Sequence, residues 1–344
     1  MERLIVLGGK GGVGKSSIST ATAVKLAKLI PEKKILIISF DMAHNLSDLF
    51  DKQIGNELTH LSDNLWGIEP DANIYAESYT KELIEKLKAL MKQMPIVGFI
   101  PQIEEYIDTT FTSDSIPLAL KNAMFFQKIL DAEDLTQRIQ FDIVVADFPP
   151  TGNMVALFEI PEDQVTTVLK YSLNFYNSIK STMNDLGKMF KKFIAPFSDS
   201  KKRRQLGVEI VNMVQDLEER GERITQLIHN IGSLRLVTIA EKPSFEEIKR
   251  ARELTKKYIT LDAVHINMLT PKKYADECEF CNKLRTTQLK YNQKIIKEFN
   301  NLRIWKSRKL VDKEPIGFEG LLNLADEIYG DDISAEEILF PKPS

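Results

Sequence analysis

Apolar residues fall into two patterns along this chain. Short, nearly unbroken runs recur at Leu4-Ile5-Val6-Leu7, Ile35 to Phe40, Leu65 to Ile68 and Ile143 to Ala146, and further strands, with polar residues among the apolar ones, are read at Leu234 to Ile239, Leu261 to Asn267 and Arg303-Ile304-Trp305. Runs without polar alternation are what strands show when both faces of a parallel sheet are covered, so they predict a buried sheet. Between them the spacing changes to three and four. Ala23, Leu26, Ala27 and Ile30 share one face of a helix from Ser17 that Pro31 ends, a second helix follows Pro243 to about Lys257, and a last one spans Gly317 to Tyr329. Strands and helices in this alternation predict an α/β fold, a doubly wound, mainly parallel sheet flanked by helices.

Two long stretches break the rhythm. From Tyr79 to about Leu135 the chain is charged and helical in pattern, with Pro95, Pro101 and Pro117 as breaks, and from Pro161 to Ile231 no strand pattern occurs. The expected organisation is a core made of 1–78, 136–164 and 232–330, an inserted all-helical subdomain from 79–135 and 165–231, and a tail at 331–344. Within the second stretch Met183, Leu186, Met189, Phe190, Phe193 and Phe197 lie three or four apart, with Met213 in a further stripe beyond the basic run Lys201 to Arg204. Such stripes pack helices onto cores. They also line grooves that receive another protein's helix, where the flexible, polarizable thioether of methionine fits varied apolar partners.

The chemistry collects where apolar runs end. The first run leads into Gly8-Gly9-Lys10-Gly11-Gly12-Val13-Gly14-Lys15-Ser16-Ser17, which then opens the first helix. This strand, glycine loop and helix form a phosphate cradle, a P-loop. Gly9, Gly11, Gly12 and Gly14 let the backbone, Val13 included, approach a polyphosphate, and the helix N-terminus favours negative charge. Lys15 is placed to reach the outer phosphates and the Ser16 hydroxyl to hold Mg²⁺, with Ser17 in the same first turn. The second run delivers Asp41 and the fourth Asp147, both at carboxyl ends beside the loop, where ligands of such sheets bind. Asp147 reads as the carboxylate that holds the Mg²⁺ water shell.

Three motifs narrow the reading. The loop resembles the deviant P-loop GKGGVGK[ST] shared by arsenical pump ATPases, tail-anchored-protein targeting ATPases, cell-division site-selection ATPases and the nitrogenase iron protein. Asp41-Met42-Ala43-His44-Asn45-Leu46-Ser47-Asp48 resembles the switch I motif DPAHNLSD of the arsenical-pump and tail-anchored-targeting branch, with Met42 in place of proline. Asp147-Phe148-Pro149-Pro150-Thr151-Gly152-Asn153 resembles its switch II, DTAPTGH, with Phe148, Pro149 and Asn153 departing. The resemblance implies that Lys10 crosses a dimer interface to the partner's nucleotide. It also implies that Asp41 activates the attacking water, that His44, Asn45, Asp48, Pro150, Thr151 and Gly152 belong to the switches, that Glu241 meets the partner's P-loop lysine, and that Asn267 hydrogen-bonds adenine.

Cys278-Glu279-Phe280-Cys281 sits in the polar stretch Asp276 to Asn282, read as a loop. Two thiols cannot fill a tetrahedral metal site, so a Cys₄ zinc site shared by two chains is the economical solution, and the family resemblance implies the same. An iron–sulfur cluster and a redox pair are the alternatives; a redox CxxC normally begins a helix in a βαβ unit.

Composition then removes function classes. The 344 residues carry 46 basic and 49 acidic side chains, a net charge of −3, which gives no basic footprint for nucleic acid. No apolar run approaches the roughly 18 residues that span a bilayer, and Met1 runs almost directly into the first strand, so a soluble, cytoplasmic protein is expected. Two cysteines argue against a disulfide scaffold. The resemblance as a whole implies an ATP-hydrolysing homodimer, using Mg²⁺ and Zn²⁺, that shields the transmembrane helix of tail-anchored proteins. It would hand them on with handover factors and a membrane receptor, cycling to the endoplasmic reticulum or plasma membrane surface. The catalytic subunit of an arsenite or anion pump and a redox-switched holdase are the other readings.

Overall fold

The computed structural model describes residues 1–41, 45–70, 140–152, 154, 225–311 and 314–343. All belong to one unit. The expected helical subdomain, with every residue of the Met- and Phe-rich stripes, lies outside them except for 225–231, which are helical and lead into a strand.

The described elements are β1 (Arg3–Gly9), α1 (Lys15–Leu29), β2 (Ile35–Ser39), α2 (Asn45–Phe50), β3 (Thr59–Ser62), β4 (Leu65–Ile68), β5 (Ile143–Asp147), β6 (Gly232–Ile239), α3 (Lys242–Thr255), β7 (Thr260–Leu269), α4 (Lys272–Glu277), α5 (Glu279–Glu298), β8 (Arg303–Arg308), α6 (Gly317–Tyr329) and α7 (Ala335–Leu339). The strands make one eight-stranded sheet in the order β3-β4-β2-β5-β1-β6-β7-β8. Every neighbouring pair is parallel except β3 with β4. The mainly parallel, doubly wound sheet expected from the apolar runs is therefore present.

Leu4 to Leu7, Ile35 to Ile38 and Val144 to Ala146 are all fully buried, as a sheet covered on both faces requires. Helix α1 is itself buried on nearly all sides. Its hydroxyls are accommodated by its own carbonyls: Ser19 donates to Lys15 O at 3.0 Å, Thr20 to Ser16 O at 2.6 Å and Thr22 to Ile18 O at 2.6 Å. Returning each hydroxyl to the preceding turn satisfies it without water, which is how a Ser/Thr-rich helix can occupy the interior. Against α6, Thr22 Oγ1 and Tyr329 Oη lie 2.6 Å apart, and Lys25 Nζ reaches Asp326 at 2.6 Å.

Two features of the second half were not evident from periodicity. Residues 272–298 form two helices broken at Cys278, whose backbone is extended (φ −140, ψ 119), instead of placing a loop over 276–282. Helix α5 is long but polar, with only Gln288 and Ile295 buried, so helix formers and pairs such as Glu279–Lys283 at 2.6 Å carry it. The last helix, α7, opens with a capping box between Ser334 and Glu337 and buries Ile338. No helix among the described residues is long and apolar enough to cross a membrane.

The interior also holds a polar cluster. Arg235 is fully buried, donates through Nε to Asp262 at 3.3 Å and through Nη2 to the Ile338 carbonyl, while Arg3 reaches the same Asp262 at 2.9 Å. His265 stacks against Trp305 with ring centroids 4.9 Å apart and meets the edge of Tyr329 at 6.0 Å. Burial, and then the Arg235 charge, hold its pKa well below the ordinary 6.5. Folded His265 thus stays neutral where the unfolded chain takes up a proton, so stability falls as pH drops through the unfolded value, by up to about 1.4 kcal/mol per unit. Thermal melts from about pH 7.5 to 5 should show this decline in the wild type and a shallower one in His265→Gln; equal slopes would assign the acid sensitivity to another group.

Candidate functional site

The P-loop follows β1 and is shaped by backbone geometry. Gly12 (φ 79) and Gly14 (φ 85) occupy the left-handed region, which side chains other than glycine rarely adopt. A Cβ on Gly14 would also lie 2.4 Å from the Asn267 amide nitrogen. Gly14 is the N-cap of α1 and brings no side-chain cap, and the first turn holds no acidic residue, so neither competes with an anion for that helix terminus. Val13 is buried while Lys10, Gly11 and Gly12 are exposed. Lys15 is buried at the floor of the cradle.

Asn267, at the end of β7, braces this loop from behind. Its Nδ2 donates to Val13 O at 3.0 Å, and its Oδ1 accepts from Ser307 Oγ of β8 at 2.7 Å. Met268 follows it in the left-handed region (φ 57). That strained residue is held by Gln288 of α5, whose Nε2 donates to Met268 O at 3.1 Å and whose Oε1 accepts from Thr270 N–H at 2.8 Å.

Parallel register brings the carboxylates to the same end. Leu7 of β1 and Ser39 of β2 both pair with Asp147 of β5. Asp147 is fully buried, and burial pushes its pKa up to about 7, with the nearby Asp41 charge adding to the rise and Ser16, Lys15 and Ser39 opposing it. Ser39 Oγ donates to Asp147 Oδ2 at 3.4 Å, whereas Oδ1 has no hydrogen-bond partner among the described residues. A buried carboxylate with one oxygen unpaired, beside Ser16 and Lys15, fits a divalent cation, which would supply the missing charge. Thr151 Oγ1, just after Pro150 on β5's far side, is likewise buried and unpartnered among the described residues. Gly152 is exposed.

Asp41 is half-buried, and its N–H donates to Ser39 Oγ at 3.3 Å. His44 lies outside the described residues, Asn45 opens α2, and Asp48 is exposed in its first turn. Glu241 is the N-cap of α3. The P-loop, Asp41, Asp147, Thr151 and Asn267 thus gather at the carboxyl ends of β1, β2, β5 and β7.

Sequence reasoning missed Ser307 and Glu69. Glu69, only 1% exposed, accepts the N–H groups of Leu46 (2.8 Å) and Ser47 (3.3 Å) at the start of α2. The signal was available, because Glu69 ends an apolar run as Asp41 and Asp147 do. Ser307 carried no such mark.

Cys278 caps α5, its sulfur accepting the Cys281 N–H at 3.5 Å. That N–H is the main reason the Cys278 thiol titrates below its ordinary range, and the Cys278 sulfur raises Cys281. The pair begins a helix that crosses between parallel β7 and β8, so the helix-start criterion does not set the redox reading aside. Among the described residues no group of three or more His, Cys, Asp or Glu could hold a metal ion.

The sequence model of a family described as anion-transporting ATPase matches residues 2–330. The chain is 30% identical to an arsenical pump-driving ATPase of Chlorobaculum tepidum over 96% of this chain and 76% of that one. It is also 30% identical to the protein named ATPase get3 of Aspergillus niger, over 94% and 89% of the two chains. A second ATPase get3, from Pyrenophora tritici-repentis, is 28% identical over 90% and 86%.

Gly14→Ala tests the cradle. Left-handed backbone costs a non-glycine residue about 1–2 kcal/mol, and the new methyl must displace Asn267. Titration with a fluorescent ATP analogue should show binding weakened by at least about tenfold. Affinity within about twofold of wild type would show that loop shape does not depend on this position.

Proposed function

This chain belongs to the anion-transporting ATPase family and is an ATPase, and on that premise we propose that it is a homodimeric targeting factor for tail-anchored membrane proteins. The observation that carries the choice within the family is cysteine usage. The chain has two cysteines, both in the CxxC, which leaves none for a separate thiol site for metalloids. Similarity to proteins named ATPase get3 over most of both chains supports the same choice.

In this reading the N–H groups of the P-loop and Lys15 bind the phosphates, and Lys10, exposed on the loop, reaches the partner's nucleotide, where Glu241 receives the partner's lysine in return. Ser16 and Asp147 hold Mg²⁺, which when bound neutralises charge developing between the β- and γ-phosphates. Asp41 orients the attacking water and takes its proton. Thr151 and Gly152 follow the γ-phosphate, as switch segments do. Asn267 contacts adenine. Cys278 and Cys281 of two chains share one zinc ion. Closure of the dimer unites the two helical subdomains into a groove lined by the Met183 to Phe197 stripe and Met213, and hydrolysis reopens it at the membrane.

A groove of this kind has a clear energetic purpose. A transmembrane helix of ~20 residues exposes on the order of 2,000 Å² of apolar surface, about 50 kcal/mol in water as an upper bound. Such a surface must stay covered until a receptor at the endoplasmic reticulum or plasma membrane takes it from this cytoplasmic carrier and its handover factors.

The similarity to the Chlorobaculum pump-driving ATPase favours the pump subunit as a second reading. Arsenite should stimulate hydrolysis in that case and leave it unchanged in a targeting factor. The helix-start placement and lowered pKa of Cys278 favour a redox holdase, which would bind clients without nucleotide once oxidised.

Asp41→Asn should bind ATP with wild-type affinity and hydrolyse it at least about a hundredfold more slowly; normal turnover would remove Asp41 from catalysis. Cys278→Ser with Cys281→Ser should give zinc-free monomers by metal analysis and light scattering, and a zinc-free wild-type dimer would sink the shared site. Met189→Asp with Phe193→Asp should abolish ATP-dependent capture of an apolar helix peptide while basal hydrolysis stays intact. Loss of folding in that variant would mark the stripe as core.

A further inference from the structure

The segment carrying Asp41 runs between two anchored ends. At the near end β2 stops at Ser39, Phe40 N–H donates to Asp147 O at 2.8 Å, and the Phe40 ring meets Phe148 edge-on with centroids 5.2 Å apart. Both rings are buried. At the far end α2 begins at Asn45, and its next two N–H groups go to the Glu69 carboxylate. Leu46 donates to Oε1 at 2.8 Å, Ser47 N–H to Oε2 at 3.3 Å, and Ser47 Oγ approaches Oε2 at 3.1 Å.

The origin of this clamp matters more than its strength. A short helix is usually capped by the residue just before it, so that helix and cap can move together. Here the acceptor comes from 22 and 23 residues away, directly after β4. That strand pairs with β2 in register, Ile38 with Ile68, so the clamp ties the start of α2 to the same sheet that holds Asp41's other side. Glu69 is itself fixed by its N–H on Gly55 O at 2.9 Å, and Ile54 N–H donates to Ser47 Oγ at 3.1 Å, which closes a ring through α2, the 54–55 turn and β4. Leu46, fully buried, and Phe50 seat α2 in the core. A buried, nearly inaccessible carboxylate with no cation partner among the described residues is an expensive way to cap one and a half turns of helix, and a Ser or Asp N-cap would suffice for stability alone.

We infer that Glu69 is a positioning residue for ATP hydrolysis: by pinning the start of α2 to β4 it anchors the chain four residues beyond Asp41 and hence helps to place the Asp41 carboxylate. The inference rests on the reading of Asp41 as the group that activates water. Glu69 acts through its hydrogen bonds to the start of α2, as a positioning group.

The test is the split between turnover and binding in the full-length protein. Loss of the clamp should misplace Asp41 by a fraction of an ångström to an ångström, and a misplacement of that size lowers kcat roughly ten- to a hundredfold. The P-loop is untouched, so affinity for a fluorescent ATP analogue should stay within about twofold. Glu69→Ala should show the full loss. Glu69→Gln keeps one acceptor oxygen for Leu46 N–H and can still hydrogen-bond the Ser47 hydroxyl, so its kcat should fall between Glu69→Ala and wild type. Circular dichroism and thermal melts identify folded variants, and if Glu69→Ala does not fold, Glu69→Gln decides. A folded variant with kcat within about twofold of wild type, or with raised KM and unchanged kcat, overturns the inference. Asp41→Asn, run in parallel, separates the two ideas. If Asp41→Asn is inactive and the Glu69 variants turn over normally, the positioning role alone fails; if Asp41→Asn is itself active, the catalytic reading beneath it fails.

Discussion

Everything at the carboxyl end of this sheet depends on the register of three parallel strands. Leu7 and Ser39 stand beside Asp147, so the residues that follow β1, β2 and β5 emerge at the same end of the sheet. Those residues are the phosphate loop, Asp41 and the Pro150 turn. A slip of one residue in any of the three would turn its whole set of side chains to the opposite face. In strands that are apolar and buried on both faces polarity alone does not resist such a slip; the close fit of each side chain against its packed neighbours does. The site is therefore a by-product of core packing, built from whatever follows where the core stops.

That relation also explains what could be read from the chain. The fold was legible because β1, β2 and β5 are nearly uninterrupted apolar runs. The cradle was legible because polyphosphate binding requires glycine at left-handed positions and a lysine at a set distance. Asp41 and Asp147 were legible because each ends such a run. β3 was not, being four residues long with none buried, and α5 was not, because a helix with two buried side chains leaves almost no periodic trace.

Other omissions have a different cause. Glu69 follows the same rule as the two aspartates, but its partners lie in α2, and nothing local announces a cap supplied from another strand. Arg235 interrupts an apolar strand and so looks like a surface residue. Only the fold reveals that Asp262, Arg3 and the Ile338 carbonyl come to meet it from strands and a helix distant in sequence. Pairings between residues hundreds of positions apart are where single-sequence reasoning runs out.

Helix α5 deserves a last consequence, because it begins at the CxxC and, seven residues past Cys281, presents Gln288 to the strained carbonyl of Met268. At 1.5 Å per residue those two points are separated by only about 10 Å of stiff rod. Met268 adjoins Asn267, and Asn267 holds the floor of the phosphate loop. The two thiols and the side chain that props the ATP pocket through Met268 thus stand on one continuous helix.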